Sequence, residues 1–458
     1  MKIIIRDDHT IVAQCTPQGA GAIALIRVSG KDSFEIVSDI AQLFSKKNFK
    51  TVPSHTIHYG LIVENNITID AVLFFAMRGP KTFTGEDVVE ISCHNNQLIV
   101  HKIIEALIKR GVRVADPGEF SKRAVMHNKL DLVQAEAIND IIAAKSDSAL
   151  KQSLSALQGS FSALILSIEE KILEVMVYSE ASFEFLDEEM NFSDAIKERL
   201  FSIMDLVEKS LHTFDKRRFL YEGVRVVLVG KTNVGKSSLF NALIDRDRAI
   251  VNDVAGTTRD TIEAVFFKNN LQLTFIDTAG IRETDNEIEQ QGIDRSFDEA
   301  AQADIILLVV DSATMYHAHE IQEYQKLLAK YEEKIIIVQN KIDSATKPID
   351  FLLDKSIIQV SAQHKKNIHY LFEEIERKVL SVIGKNDTPF VLNQRQFDLL
   401  LQFKNYLEPV IKRLHRSIDY ELLSFHLKES LELLAEITGK TITEKAFDKV
   451  FQSFCVGK

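Results

Sequence analysis

The run Gly230-Lys231-Thr232-Asn233-Val234-Gly235-Lys236-Ser237-Ser238 carries the most specific chemistry in the chain. Gly230, Gly235, Lys236 and Ser237 satisfy G-x-x-x-x-G-K-[ST], a spacing that turns successive backbone N–H groups toward an anion. The apolar, mostly β-branched run Val224 to Val229 precedes it and a helical pattern follows. The loop is therefore expected to pass from a strand into a helix N-terminus, whose positive end favours phosphate. In that setting Lys236 reaches the β- and γ-phosphates and Ser237 offers its hydroxyl to Mg²⁺. With Asn233, Val234 and Ser238 these residues predict a nucleotide-phosphate site.

Further motifs follow in a fixed order, three of them closing an apolar run. Leu271 to Ile276 ends in Asp277-Thr278-Ala279-Gly280; Asp277 is expected in the Mg²⁺ shell and the Gly280 N–H on the γ-phosphate. Lys334 to Gln339 ends in Asn340-Lys341-Ile342-Asp343. A carboxylate at Asp343 accepts from guanine N1–H and N2–H₂, whereas adenine leaves it unpaired. Ile357 to Val360 ends in Ser361-Ala362-Gln363, which would back the base from its other edge. The ligand expected is GTP, not ATP. Between these motifs, Asn252-Asp253-Val254-Ala255-Gly256-Thr257-Thr258-Arg259-Asp260 fits a switch that orders on the γ-phosphate, with Thr258 a second hydroxyl for Mg²⁺. After Gly280 comes Ile281, where Ras-like enzymes place a water-orienting glutamine. Hydrolysis then needs another water-positioning group and another positive charge. Glu283, Asp285, Glu287 and Glu289 are available, and residue type does not choose among them.

The elements that must position these groups divide the chain. At 458 residues it is too long for one core. Residues 1–123 alternate strands and short helices, an α+β pattern, with helical spacing from Leu98 to Arg110 ending at Gly111. Residues 124–216 carry apolar positions at three and four, the stripe of a helical bundle. Residues 217–383 alternate strands and helices as a parallel sheet covered on both faces does. Helical spacing returns in residues 384–458, either as the second part of the same bundle or as a separate helical domain. The fold class expected is multidomain α/β plus α, with a P-loop (Ras-like) G domain inserted between helical segments. No apolar run approaches the ~18 residues of a membrane span. The acidic Asp7 and Asp8 do not suit a signal peptide. Cys15, Cys93 and Cys455 are dispersed, which suggests neither a disulfide frame nor a zinc site and points to a reducing cytosol. The net charge of −11 argues against blanket phosphate neutralisation. Lys216-Arg217-Arg218 reads more as a solvated linker than as a nucleic-acid contact.

Ala255-Gly256-Thr257-Thr258-Arg259-Asp260, Asn233 in the P-loop and the tail Cys455-Val456-Gly457-Lys458 together resemble the tRNA-modification GTPases of the MnmE (TrmE) family. The likeness extends through Thr10-Ile11-Val12-Ala13, Arg27-Val28-Ser29-Gly30, Phe83 to Glu90, Pro117-Gly118-Glu119-Phe120 and Lys129 to Ala137. It implies a K⁺ ion where an arginine finger would lie, held by the Asn233 side chain and the carbonyls of Asn252, Val254 and Thr257. Two G domains would have to face each other, so the protein would be a homodimer. Glu289, twelve residues after Asp277, matches the family's catalytic glutamate.

For the first domain the resemblance implies dimerisation and a site for 5,10-methylene- or 5-formyl-tetrahydrofolate at Arg27, Glu90 and Lys129, with Lys458 reaching in. By residue type alone, Arg27 and Glu90 are charges on the outer faces of strands. Cys455 would sit at the modification site as nucleophile, substrate contact or structural thiol. The implied activity, with a flavin-dependent MnmG-type partner, is addition of a (carboxymethyl)aminomethyl group to wobble uridine of tRNA. A GTP-gated switch without modification chemistry, or a folate enzyme regulated by GTP, are the alternatives. Three positions depart from the family pattern. Thr232 replaces a usual proline, Val456 replaces isoleucine, and His94-Asn95-Asn96 replaces His-Gly-Gly, where a left-handed asparagine is expected to keep the turn.

Overall fold

Alternation along the strands decides the first sheet. β1 (Ile11–Gln14), β2 (Ile23–Ser29), β3 (Ala41–Leu43), β4 (Thr56–Glu64), β5 (Ile67–Met77), β6 (Val88–His94) and β7 (Arg113–Val114) form seven strands in the order β3-β4-β5-β6-β2-β1-β7. All neighbours are antiparallel except β1 and β7. Along β2, Ala24, Ile26 and Val28 are buried while Ile23, Leu25 and Arg27 face the other side, the period-two pattern of a sheet with one covered face. That face meets α1 (Ser33–Ser38) and α2 (Gln97–Ile108) in a core including Ile26, Phe74, Ile91, Ile103 and Leu107. On the opposite face Ile57, Tyr59 and Leu73 are exposed. The expected left-handed asparagine turn before α2 is not what forms. Asn96 is extended (φ −114°), and its side chain accepts from the Leu98 N–H at 2.9 Å. Capping satisfies an otherwise orphaned helix donor, and that favours this conformation.

The computed structural model describes residues 9–184, 193–244, 262–268, 271–277, 299–311, 316–344, 349–352, 355–383, 388–414, 420–452, 454 and 456–457. The chain divides into two compact units, one of residues 1–139, 154–211 and 393–458, the other of residues 140–153 and 212–392. After the first sheet come α3 (Glu119–Met126), α4 (Leu132–Ala143), α5 (Asp147–Leu157), α6 (Ser160–Glu184), α7 (Ser193–Leu211) and α8 (Phe214–Tyr221). Segment 140–153 joins the second unit through α8. Arg217 pairs with Asp140 at 2.6 Å, Ser146 Oγ donates to Leu220 O at 3.0 Å, and Ser153 Oγ lies 2.6 Å from the Tyr221 hydroxyl.

The second unit is built on β8 (Val224–Val229), α9 (Lys236–Ile244), β9 (Ile262–Lys268), β10 (Leu271–Asp277), β11 (Ile305–Asp311), α10 (Ala318–Tyr331), β12 (Ile335–Asn340), β13 (Ile357–Gln359) and α11 (Ile368–Ile383). The sheet order is β13-β12-β11-β8-β10-β9. Val226 and Leu228 enter one core with Ile305, Leu307 and Val309; Val227 and Val229 enter the other with Ile306, Leu308 and Val310. Burial on both faces explains why these strands read as unbroken apolar runs. The expected parallel sheet gains one antiparallel edge, β9 on β10. Only two residues separate these strands, far too few for a crossover, so they can pair only antiparallel. β8 lies between β11 and β10, which puts its C-terminal end at the point where the strand order reverses and ligands bind.

α12 (Gln394–Leu414), α13 (Tyr420–Thr438) and α14 (Glu444–Gln452) return the chain to the first unit. α6 packs on α7 and α13, and α12 packs on α13 and α7, closing a ring of four helices. Ile165, Ile168, Ile172 and Val175 of α6, Leu400 and Phe403 of α12, and Leu427 and Leu434 of α13 are all fully buried. The two helical segments are thus one bundle, with the G domain inserted between them. Glu136 ties α4 to it. Arg395 Nε donates to Glu136 Oε1 at 2.7 Å, and Gln396 Nε2 donates to Oε2 at 2.7 Å. Among the described residues no helix is long and apolar enough to cross a membrane.

Candidate functional site

At the end of β8 the backbone approaches β11 so closely that a side chain on Gly230 would meet Val309 O at 2.2 Å. Glycine is obligatory there for packing. Gly235 takes φ +92°, and a Cβ on it would lie 2.3 Å from Asn340 Nδ2. Asn233, between them, is left-handed (φ +62°), a conformation that asparagine tolerates better than most residues. It reaches that conformation with Thr232 rather than proline before it. Lys236, the first residue of α9, is buried, and its Nζ donates to Gly230 O and Lys231 O, each at 2.9 Å. The ammonium is held over the loop it would serve. Ser237 and Ser238 follow in the first turn of α9, and Val234 packs in the core beneath. Asp277, 1% exposed, closes β10 beside Leu228 of β8.

Residues of the Asn340 and Ser361 motifs are fastened to the same loop. Asn340 Nδ2 donates to Val234 O at 3.0 Å and Gly235 O at 3.4 Å, while its Oδ1 accepts from Ala362 N at 3.0 Å. One amide thus joins three sequence motifs. Lys341 is left-handed (φ +61°), and its Nζ donates to Asn233 O at 2.6 Å. Ser361, fully buried, donates to Asp343, whose carboxyl is held below its ordinary value by that bond. Asp343 therefore stays an anionic acceptor, fixed in orientation at an exposed rim. Gln363 follows Ala362 on the surface. Asp311, at the end of β11, has no place in the motif reading, yet its Oδ2 lies 2.9 Å from Lys341 Nζ. An acid closing an apolar strand looks like an ordinary strand stop, and only the sheet order reveals its neighbour.

In the first unit, Arg27 and Glu90 face each other across β2 and β6 and pair at 2.8 Å. The Arg27 guanidinium stands 5.4 Å from both the Phe83 and Phe120 rings. Lys129 Nζ donates to Pro80 O at 2.8 Å. All three residues thus converge on the loop between β5 and β6, Glu90 by way of Arg27. That loop is anchored from below. Ser29 Oγ donates to Glu86 at 2.7 Å, and Arg123, 3% exposed, donates to Glu86 at 3.1 Å, to Glu119 at 2.9 Å and to His9 O at 2.9 Å. Register places Arg27, Glu90, Phe75 and Ile57 in one row on the open sheet face, beside a second row of Leu25, Ser92, Leu73 and Tyr59. Gly457 of the tail packs where a Cβ would lie 2.5 Å from Gln14 O and 2.8 Å from the Cys15 Cα.

Asn252, Asp253, Val254, Ala255, Gly256, Thr257, Thr258, Thr278, Ala279, Gly280, Glu289, Cys455 and Lys458 lie outside the described residues. The basic cluster is largely neutralised, with Arg217 on Asp140 and Arg218 on Asp304.

Residues 132–455 match the family profile for the MnmE helical domain, and residues 10–129 match that for the GTP-binding protein TrmE N-terminus. Among curated relatives, the tRNA modification GTPase MnmE of Thermotoga sp. (strain RQ2) is 37% identical over 98% of this chain and 100% of its own length. The protein of the same name from Bacillus cytotoxicus is 37% identical over 98% of this chain and 99% of its own.

Proposed function

The chain belongs to the MnmE family of tRNA modification GTPases, and from that premise we propose a K⁺-dependent GTPase activated by homodimerisation. With a flavin-dependent, MnmG-type partner it adds a (carboxymethyl)aminomethyl group to C5 of wobble uridine in certain tRNAs. The carbon comes from 5,10-methylene- or 5-formyl-tetrahydrofolate. The observation that carries the reading is Asn233. Its left-handed backbone gives its carbonyl to Lys341, and its exposed side chain has no hydrogen-bond partner among the described residues. That leaves the amide oxygen available to a cation, with the carbonyls of Asn252, Val254 and Thr257 completing the set. When bound, K⁺ supplies fixed positive charge at the β–γ bridge in place of an arginine.

In this reading Lys236 moves from the Gly230 and Lys231 carbonyls to the phosphates, and Ser237 and Thr258 hold Mg²⁺ with Asp277 in its outer shell. Asp343 accepts from guanine, and Glu289 orients the water. In the first unit the Arg27–Glu90 pair is only part-buried, 18% exposed at each side chain. Arg27 can therefore meet a folate carboxylate, and Glu90 a pterin amino edge, without first leaving an apolar core. Lys129 and Lys458 add positive charge, and Cys455 lies at the modification site. The exposed Ile57, Tyr59 and Leu73 beside that pair support a second copy covering the same sheet face.

The deciding experiment is GTP turnover in K⁺ against Na⁺ at equal ionic strength, with Asn233→Ala alongside. The expected result is a rate lost in Na⁺ and lost in the variant in both salts. A rate indifferent to the cation overturns the reading.

A further inference from the structure

We propose that Asp311 is a positioning residue for guanine-nucleotide binding, holding Lys341 against the P-loop carbonyl of Asn233. Asn233 and Lys341 both adopt left-handed backbones, with φ +62° and +61°. Each such residue costs about 1–2 kcal/mol unless its surroundings hold it. They are joined by a single bond, Lys341 Nζ to Asn233 O at 2.6 Å. The same ammonium lies 2.9 Å from Asp311 Oδ2. The carboxylate is 3% exposed at its side chain against 38% for Lys341, so the acid is the fixed member and the lysine the movable one.

Asp311 is fixed at the backbone as well. Its N–H donates to the Tyr316 hydroxyl at 2.9 Å, and that hydroxyl donates back to Asp311 O at 3.3 Å. The Tyr316 ring packs against Phe351 at 5.5 Å and Tyr324 at 5.9 Å, in the core that holds β11 and α10. The relay therefore runs from a packed aromatic cluster through one carboxylate and one ammonium to the phosphate loop. Its role is to keep the Lys341 amine braced on the loop that meets the phosphates. A charge–charge hydrogen bond is stronger than a neutral one, which suits an acid better than an amide at this position.

The inference rests on guanine binding at Asn340 to Asp343 and is independent of K⁺ and folate. The test is a double-mutant cycle on mant-GDP affinity with the full chain, using Asp311→Asn and Lys341→Met, the latter keeping the apolar stem. Each single change is expected to weaken binding about tenfold, the loss of one charge-assisted contact. The double variant is expected to fall within about twofold of Lys341→Met alone, because coupled residues are non-additive. An unchanged affinity in Asp311→Asn, or losses that multiply in the double variant, overturns the proposal. Should Asp311→Asn fail to fold by circular dichroism, Tyr316→Phe carries the test. It is expected to weaken mant-GDP about threefold in the wild-type background and not at all with Lys341→Met, and equal losses in both backgrounds overturn the relay. A wild-type chain that bound no mant-GDP would instead sink the nucleotide reading itself.

Discussion

Replacing Asn340 by alanine removes the amide that joins the Asn340 and Ser361 motifs to the P-loop. The side chain is 1% exposed and makes two good hydrogen bonds, to Val234 O and from Ala362 N, both 3.0 Å; the third, at 3.4 Å, is weak. Truncation leaves one buried carbonyl and one buried N–H without partners, at about 1–3 kcal/mol each. A water entering the space left by the amide restores part of this, so the lower end, about 2 kcal/mol, is the working figure. At 1.4 kcal/mol per decade that is roughly a 30-fold loss of mant-GDP affinity. Asn340→Asp is expected to be worse. It keeps an acceptor for Ala362 but sets a carboxylate oxygen against Val234 O where a donor now stands. Amide hydrogen exchange should accelerate together at residues 233–236 and 360–363, because one side chain holds both. Affinity within threefold of wild type for Asn340→Ala, or faster exchange in only one of the two loops, refutes the reasoning.

Glu136→Ala should destabilise the helical bundle by about 3 kcal/mol, since it leaves the part-buried Arg395 guanidinium only the Glu436 and Ile437 carbonyls; urea unfolding followed at the helical signal measures it. For Glu119, burial alone would raise the carboxyl, but the Arg113 and Arg123 guanidiniums and the Asp116 N–H outweigh it and hold it below 4.5. Its stabilisation is therefore full above that ordinary value and is lost as pH falls through the lower folded one. Glu119→Gln should flatten the acid limb of thermal stability, and an unaltered slope would count against the ion-pair assignment. Burial, with the Asp70 charge adding to it, pushes the Cys93 thiol up to about 11. Native chain treated with iodoacetamide at pH 8 should leave Cys93 unlabelled by peptide mass spectrometry, while urea exposes it.

The P-loop and the Asp277 and Asn340 motifs were legible because each closes a strand inside the sheet, where an apolar run stops abruptly at polar residues. Relations that depend on register were not. Arg27 and Glu90 are 63 residues apart, and only the pairing of β2 with β6 makes them partners. β9 carries no comparable signal, because Glu263 interrupts its apolar run at a sheet edge. The left-handed turn expected at Asn96 gives way to a helix cap, because its side chain accepts from the Leu98 N–H. The choice between one helical bundle and two turned on contacts between α6 and α13, which periodicity within a helix does not encode.

The bundle's two halves lie on either side of the inserted G domain in sequence, and a ribosome must translate His212 to Leu392 between them. At about 5–20 residues per second this leaves α6 and α7 roughly 10–40 s without α12 and α13. Through that interval Ile165, Ile168, Ile196 and Leu200, all fully buried in the finished protein, lack the part of their native cover that α12 and α13 supply. Nascent chains stalled before residue 393 should therefore be strong clients of hydrophobic-binding chaperones, and a slowly translated G domain would lengthen that dependence.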